Sequence, residues 1–245
     1  MSDLEDIVSS VPALRAVVNA ALGEREGALS PLVRVGRACA ELLPVDGASI
    51  SVMAGTDHRE TLYAGDAVIE RVEELQFSLG EGPCFEAFDT GRPVLVPDLA
   101  EASGAAWPVF ASQTSDEPIG AIFAFPLQVG VARIGAIDMY RRAPGWLRPA
   151  DLATALQVAD IATATLTGLQ AAGPDGTLDE EWLTALPHNR EAVHQATGMV
   201  IAAFEIPAAQ ALARLRGYAF TTGRLVDEVA ADLVTRRLHP SDIDT

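Results

Sequence analysis

The segment AIFAFPLQVGVARIGAIDMYRR, residues 121–142, is the starting point for the fold because it predicts two β-strands joined by a turn at Gly130. Both halves are apolar runs with β-branched members, which favour strands. Glycine has the backbone freedom that a tight turn requires. The chain is therefore expected to contain strands, and the flanking segments indicate how many.

Three segments before this pair predict further short strands. GASISVMAG at 47–55 is rich in small and β-branched residues, ETLYAGD at 60–66 is a second candidate, and PVLVPDL at 93–99 is an apolar run bounded by prolines. Together with the pair at 121–142, these segments make about five strands.

Helices are predicted on both sides of the strands. An N-terminal helix is expected within residues 1–28, and a serine–proline pair begins a second helix at Pro31 that runs to Leu43, because serine caps helices and proline suits their first position. The apolar, alanine-rich residues 151–169 predict a long helix, and residues 66–77 predict either a short connecting helix or a loop. This mixture of elements predicts an α+β domain.

The C-terminal part of the chain predicts helices alone. Their expected limits are Asn189 to Phe204, Pro207 to Thr222, and Val226 to Leu238. The residues expected to face inward on the first of them are Val193, Ala196, Val200, Ala203 and Phe204. Three helices in about 50 residues are the size of a small bundle.

The turn-forming residues Gly173-Pro174-Asp175-Gly176 give the strongest signal for a domain junction. The predicted order is an N-terminal helix (1–28), an α+β domain (29–172), a linker (173–187), a three-helix bundle (188–240) and a tail (241–245).

Charge is distributed unevenly along the chain. The net charge is −17, and all 17 basic residues are arginine. Residues 188–238 nevertheless hold six arginines beside five acids. Phosphate binding requires cations, so the acidity argues against general nucleic-acid binding but leaves open a local anion-binding face on the bundle.

Several other site classes have no support in the sequence. No apolar stretch near 18 residues lacks charge, and the acidic N-terminus does not resemble a signal peptide, so a cytoplasmic protein without a membrane segment is expected. The four histidines are scattered, so no metal site is expected. The sequence does not identify a cofactor.

Cys84 is a candidate redox or sensing residue. It follows the turn Gly80–Pro83 and begins a predicted helix, a position that lowers the pKa of a thiol. The alternative is a small buried cysteine at a loop–helix junction. The turn is not a phosphate loop, because it lacks the Gly-Lys-Ser/Thr that such a loop carries.

Four segments, in this order, resemble a GAF domain. They are GASISVM (47–53), LGEGPCFEAFDTGRPVLVPDL (79–99), WPVFASQ (107–113) and the pair at 121–142. The resemblance covers about residues 30–170 and is nearest to GAF domains that precede an RNA-binding module in bacterial regulators. It implies an antiparallel sheet with flanking helices, an unidentified small-molecule ligand, and dimerisation through terminal helices.

Residues 189–234 resemble an ANTAR domain, a three-helix RNA-binding output module of bacterial antiterminators. The pattern is carried by small residues and a Leu-Arg pair, namely Ala196, Gly198, Ala211, Leu215, Arg216, Ala219 and Ala230. The resemblance implies binding to paired RNA hairpins in a leader transcript, which disfavours a competing terminator.

The RNA-binding residues that this resemblance implies are Arg190, Ala196, Thr197, Gly198, Arg216, Ala219 and Arg224. Arginines would contact phosphate or loop bases, while small residues would let RNA approach the backbone. Thr197 and Leu225 stand where the family often has cations. The alternative for the small residues is tight helix packing, and for Arg216 a solvated helix position.

The sequence therefore predicts a bacterial, signal-responsive, homodimeric transcription regulator that is not an enzyme. Its GAF domain would sense a small ligand or redox signal, and its ANTAR domain would bind RNA hairpins to cause antitermination. One alternative is a GAF-fold methionine sulfoxide reductase that uses Cys39 and Cys84. The other is a DNA-binding regulator, although the third helix of the bundle carries three acids and no obvious basic recognition surface.

Overall fold

The computed structural model describes residues 31–53, 59–102, 106–171 and 190–243. The expected N-terminal helix within residues 1–28 and the expected linker at 173–187 lie outside these ranges.

The first domain consists of strands and helices in the mixture that the sequence predicts. Its strands are β1 (Gly47–Met53), β2 (Arg59–Ala64), β3 (Val94–Val96), β4 (Ala121–Val129) and β5 (Ala132–Arg141). Its helices are α1 (Pro31–Leu42), α2 (Ala67–Leu79), α3 (Pro83–Thr90), α4 (Leu99–Ala102), α5 (Pro108–Gln113) and α6 (Pro149–Ala171). The predicted α+β class is confirmed.

The five strands form one antiparallel sheet in the order β2-β1-β5-β4-β3. β4 and β5 are the predicted pair, and Gly130 between them has a φ of 59°, in the left-handed region that favours glycine. Ile50 of β1 lies opposite Ile137 of β5. β5 is thus paired on both sides at the centre of the sheet.

Alternate residues of the sheet face two different layers of helices. On one face, Ile50 and Ile137 belong to the main apolar core, which α1 and α6 cover. On the other face, Ser51 and Asp138 bond to side chains of α2. Buried polar groups are costly unless they find partners inside the protein, so the second face is the one to examine for a site.

α2 is a regular helix of 13 residues, where the sequence left open a short connecting helix or a loop. The Asp66 side chain caps it by accepting hydrogen bonds from the N–H groups of Val68 and Ile69, each at 2.9 Å. Gly80, with a φ of 68°, ends it. Ile69 and Val72 anchor the helix to the first domain.

The second domain is a bundle of α7 (Glu191–Phe204), α8 (Ala208–Thr221) and α9 (Val226–Val234), followed by a 3₁₀ turn at Pro240–Ile243. The three predicted helices are present, but α9 ends before the expected Leu238. Arg236 has a φ of 59°, which is incompatible with a continuing helix. Ile243, which the sequence assigns to the tail, is buried in the bundle.

Among the described residues, no single helix is long and apolar enough to cross a membrane. The pair α7 and α8, bent by 108°, meets the same test by length and composition only. Their apolar residues line the core of the bundle.

Candidate nucleic-acid interface and buried polar cluster

The core of the bundle takes residues from all three helices at helical spacing. Its buried members include Val193, Ala196, Val200, Ala211, Leu212, Leu215, Ala219, Val226, Val229, Ala230 and Leu233. The prediction that Ala203 and Phe204 of α7 face inward is not met. Ala203 is exposed, and Phe204 is only partly buried against the core.

The small residues of the bundle divide into two groups. Ala196 and Ala219 are fully buried in the core, so they pack helices together. Gly198 is exposed, and a Cβ built there would meet nothing within 4 Å. Thr197 is partly buried and its hydroxyl donates to the Val193 carbonyl at 2.7 Å. The open strip expected at 196–198 is therefore limited to Thr197 and Gly198, because Ala196 lies on the same stripe as Val193.

Arg190 lies at the start of α7 and is only 4% exposed. Its guanidinium carbon sits 3.5 Å from the ring centroid of Phe77, on α2 of the first domain, which is a cation–π contact. Its Nη1 is 3.6 Å from Oδ2 of Asp227, too far for a hydrogen bond. Burial lowers the pKa of Arg190 in spite of that carboxylate.

Arg216, on α8, contacts the same residue of the first domain. Its Nε donates to the Phe77 carbonyl at 2.9 Å, and its guanidinium carbon is 5.1 Å from the Phe77 ring centroid. A Cβ at Gly80 would lie 2.9 Å from Nη1 of Arg216, so the glycine that ends α2 also leaves room for this arginine. Two of the predicted RNA-binding arginines thus contact Phe77.

Further bonds join the bundle to the first domain. The Val226 N–H, at the start of α9, donates to the Ser78 hydroxyl at 3.1 Å. On the surface, Nε2 of His194 lies 3.0 Å from Oε1 of Glu60. We name the set formed by Phe77, Ser78, Arg190, Arg216 and Val226 the docking contact.

Sequence reasoning missed Phe77 and Ser78 because they lie on an amphipathic helix. A buried aromatic residue on such a helix produces the same pattern whether it faces its own domain or another. Phe77 in fact packs in the core of the bundle, which lies more than 100 residues later in the chain. That assignment depends on the arrangement of the two domains, for which the local pattern carries no signal.

Arg224, the third predicted RNA-binding arginine, is paired inside the bundle. Its Nη2 lies 2.7 Å from Oδ2 of Asp232 and donates to the Glu228 carbonyl at 3.1 Å. All three arginines therefore engage protein groups in this arrangement.

A cavity of about 730 Å³ lies at the junction of the domains, within the size range of small-molecule sites. Its walls come from α1, β2, α2 and the bundle. The lining includes Arg37, Thr61, Tyr63, Glu73, Glu74, Arg190 and Asp227. The cavity thus extends from the docking contact to a set of polar groups beneath α2.

Those groups form a buried polar cluster whose members are Ser49, Ser51, Arg59, Thr61, Glu73, Gln76 and Asp138. Glu73 forms an ion pair with Arg59 and accepts hydrogen bonds from the Ser49 and Ser51 hydroxyls at 3.0 and 2.7 Å. Gln76 donates from Nε2 to Oδ2 of Asp138 at 2.7 Å. The cluster joins β1, β2 and β5 to α2.

The two carboxyl groups of the polar cluster shift in opposite directions. Burial disfavours the charged form of both. For Glu73, Arg59 and the serine hydroxyls outweigh burial and hold the pKa below its usual value. For Asp138, burial and the nearby charge of Glu73 raise the pKa well above its usual value. Asp138 therefore gives up its proton at a much higher pH than a free aspartate.

Cys84 lies beside this cluster, in the first turn of α3, and is 1% exposed. Its N–H donates to Oε1 of Gln76 at 2.8 Å. Burial raises the pKa of its thiol well above the usual value, although Arg59 acts in the opposite direction. Because the thiolate is the reactive form, the candidate sensing residue is an enclosed, protonated thiol.

The sheet separates the two cysteines. Cys39, on α1, belongs to the main core on one face, while Cys84 packs on the other face with Ala136 of β5. A disulfide requires Cα atoms within about 7 Å, so this arrangement does not bring the reductase pair together.

The described residues also contain no group of three or more His, Cys, Asp or Glu side chains suited to a metal ion. His58 and His188 lie outside those residues. Of the two described histidines, His194 pairs with Glu60 and His239 contacts the Ser241 hydroxyl.

Comparison with protein families identifies both domains. The family model of the GAF domain matches residues 32–167, more than half of the chain. The chain belongs to the GAF family. The model of the ANTAR domain matches residues 183–234. This GAF–ANTAR protein is therefore an RNA-binding transcription regulator of the signal-responsive antitermination class, as the sequence predicts.

Solved structures support the fold. The GAF domain of a phosphoenolpyruvate-protein phosphotransferase from Coxiella burnetii is 15% identical, with a TM-score of 0.55 over 67% of this chain and 96% of that one. The corresponding Acinetobacter domain is 13% identical, with a TM-score of 0.51 over 71% and 98%. A search of curated proteins found no significant match.

Proposed function

We propose that this GAF–ANTAR protein binds hairpins of a leader transcript through its bundle, and thereby prevents a terminator from forming. The observation that carries the proposal is the ANTAR match over residues 183–234, which hold four of the six arginines concentrated at 188–238 in an otherwise acidic chain. Phosphate contacts supply much of RNA affinity and require such cations. The transcript would be met in the cytoplasm, where we expect the protein to act.

The proposed RNA-binding face consists of Arg190, Arg216 and Arg224 with the open strip at Thr197 and Gly198. Arginine side chains suit splayed loop bases as well as phosphate, because the guanidinium plane stacks on bases and donates hydrogen bonds. Gly198 leaves the backbone of α7 accessible to RNA. Ala196 and Ala219 would contribute indirectly, by packing the helices that carry this face.

A binding assay with a pool of two-hairpin RNAs with randomised loops tests this function. Arg216→Gln is expected to weaken binding by roughly tenfold, since it removes one charge-assisted contact. Arg237→Gln is the matched control, because Arg237 is an exposed arginine of the bundle paired with Asp232. Absence of binding to every selected RNA would refute the proposal. Preference for duplex DNA competitor would favour the DNA-binding alternative.

We further propose that the signal is a small polar ligand held in the junction cavity. The supporting observations are its volume and its lining, which brings charged groups of both domains together. Mass spectrometry of molecules that co-purify with the full chain would identify such a ligand. Glu74→Gln, a change in the cavity wall, is expected to reduce its retention.

The redox version of the signal has less support, because the Cys84 thiol is enclosed and protonated. Labelling of the folded protein with a thiol reagent is expected to be slower than that of free cysteine by at least about a hundredfold. Rapid labelling, together with a loss of signalling in Cys84→Ser, would instead favour redox sensing.

We also propose a homodimer formed through the terminal helices of the GAF domain, α1 and α6. Leu156 of α6 is exposed although it is a large apolar residue, which suits an interface position. Sedimentation equilibrium is expected to give a dimer for the wild-type protein and a weaker dimer for Leu156→Glu. A wild-type monomer at all concentrations would exclude this assembly.

A further inference from the structure

Consecutive residues of α2 contact two different parts of the molecule, the polar cluster and the bundle. Glu73 and Gln76 enter the polar cluster, where they bond to Arg59 and Asp138. Phe77 and Ser78, which follow at once, contact the bundle. A single turn of helix therefore lies between the sensor interior and the output domain. A shift of this turn would alter both sets of contacts.

The docking contact uses groups that RNA would also use. Arg190 is stacked on Phe77 and is only 4% exposed, and the Nε of Arg216 donates a hydrogen bond to the Phe77 carbonyl. The enclosed Arg190 guanidinium cannot at the same time stack on a loop base or contact a phosphate, and Arg216 has its Nε donor engaged. The docked bundle therefore presents a reduced set of cations to RNA.

The contacts at the junction are individually weak enough to release. They consist of cation–π contacts, a hydrogen bond to a carbonyl, a hydrogen bond to a hydroxyl and the burial of the single Phe77 ring in the bundle core. The carboxylate nearest to Arg190 lies 3.6 Å away and forms no direct hydrogen bond. Contacts of this type contribute modest net free energy each, so a ligand or RNA can supply enough to reverse them.

We infer that the docking contact is an autoinhibitory latch, in which Phe77 and Ser78 of the GAF domain hold the RNA-binding face of the ANTAR domain until α2 shifts. The inference rests on the proposed function, since it describes how RNA binding is controlled. It assigns Phe77 the central role, because both arginines contact this one residue. RNA and the first domain then compete for the same side chains.

Amide hydrogen exchange of the full chain measures the latch directly. The Val226 N–H is a specific reporter because it bonds across the junction to Ser78. The Val229 N–H is an internal control because it bonds to the Leu225 carbonyl within the bundle. In Phe77→Leu, exchange at Val226 is expected to rise roughly tenfold, since the leucine offers no ring face to either arginine. Exchange at Val229 should not change.

Phe123→Leu is the matched control variant. Phe123 is a fully buried phenylalanine of β4 in the main core of the GAF domain, which contains no residue of the bundle. It reports what loss of an aromatic ring does to the GAF domain in general. An equal rise in Val226 exchange in both variants, or no rise in Phe77→Leu, would overturn the latch.

RNA binding by the same proteins separates the latch from the proposed function. With the two-hairpin RNA pool, Phe77→Leu is expected to bind roughly tenfold more tightly than wild type and than Phe123→Leu, because apparent affinity scales with the fraction of open molecules. Equal affinity of wild type and Phe77→Leu would overturn the latch while RNA binding stands. If Val226 opens but no form binds RNA, the proposed function fails, and with it the inhibitory role of the contact.

Discussion

Two buried arginines, Arg59 and Arg190, are held in opposite ways. Arg59 lies within the GAF domain, where it forms an ion pair with Glu73 and Asp138 lies nearby. Arg190 lies between the domains, where an aromatic ring covers it and the nearest carboxylate is 3.6 Å away. The first arginine is held by an ion pair with a buried carboxylate, and the second is enclosed but only weakly paired.

This difference in pairing makes Arg59 part of the permanent structure of the GAF domain, whereas the contact of Arg190 can be released. Removing one partner of a buried ion pair leaves an uncompensated charge inside the protein, so the polar cluster must stay intact while the GAF domain is folded. Arg190 can move into water, where it regains hydration, without breaking its own domain. The proposed control of RNA binding therefore uses the weaker of the two sites.

The largest expected effect comes from breaking the stronger site. Arg59→Met should destabilise the GAF domain by about 3–5 kcal/mol, because it leaves the Glu73 carboxylate buried without its cation. Urea denaturation followed by circular dichroism measures this loss. Arg71→Met is the control, since its pairs with Glu74 and Glu117 are partly exposed and should cost about 1 kcal/mol or less. Similar losses in the two variants would contradict the distinction drawn between buried and exposed pairs.

Two substitutions on α7 sharpen the comparison within the bundle. Ala196→Leu should destabilise it by about 1–3 kcal/mol, because the larger side chain overfills the core. Gly198→Leu should leave it unchanged or more stable by up to about 1 kcal/mol, because the site is open and leucine favours helix.

Thermal unfolding and RNA affinity of Gly198→Leu together show what the strip does. We expect folding to be retained and RNA binding to weaken several-fold, since the leucine would keep RNA away from the backbone. Unfolding of the bundle would instead assign Gly198 to packing, and unchanged RNA affinity would place the strip outside the RNA-binding face.

The pH dependence of stability tests the carboxyl pair of the polar cluster. Because the pKa of Asp138 is raised in the folded protein, its contribution to stability is complete below the unfolded pKa and is lost as pH rises toward the folded pKa. Asp138→Asn should remove this fall while keeping an acceptor for Gln76. Denaturation from pH 4 to pH 8 should therefore give a flatter profile for the variant. An equally steep fall in Asp138→Asn would assign the slope to another group.

The smallest effect is expected at the rim of the docking contact. Glu60→Gln removes the carboxylate charge beside His194, and both side chains are well exposed. Such pairs contribute about 1 kcal/mol or less, so Val226 exchange should rise no more than about threefold. If Val226 exchange rose as much in Glu60→Gln as in Phe77→Leu, the surface pair of Glu60 and His194 would contribute as much to docking as Phe77 does.

Local pattern was sufficient for most of the secondary structure. The strands around Gly130, the long helix α6 and the three bundle helices follow from residue spacing, turn residues and caps, because these are short-range effects. Local pattern did not decide whether residues 66–77 form a helix or a loop, and it placed the end of α9 too late. Both features depend on what the segment packs against. The small residues of the bundle show where local pattern stops being informative. Ala196 and Gly198 are both small and lie two positions apart on α7, yet Ala196 is buried and Gly198 is exposed.

The sequence by itself determined the α+β and bundle architecture, the GAF–ANTAR resemblance and the concentration of arginines near the C-terminus. The tertiary structure alone decided that Arg190 and Arg216 meet on Phe77, that Glu73 and Asp138 share one polar cluster, and that the sheet stands between Cys39 and Cys84. The reason is physical. Helix and strand patterns depend on near neighbours in the chain, whereas pairing, burial and enclosure depend on residues that only folding brings together.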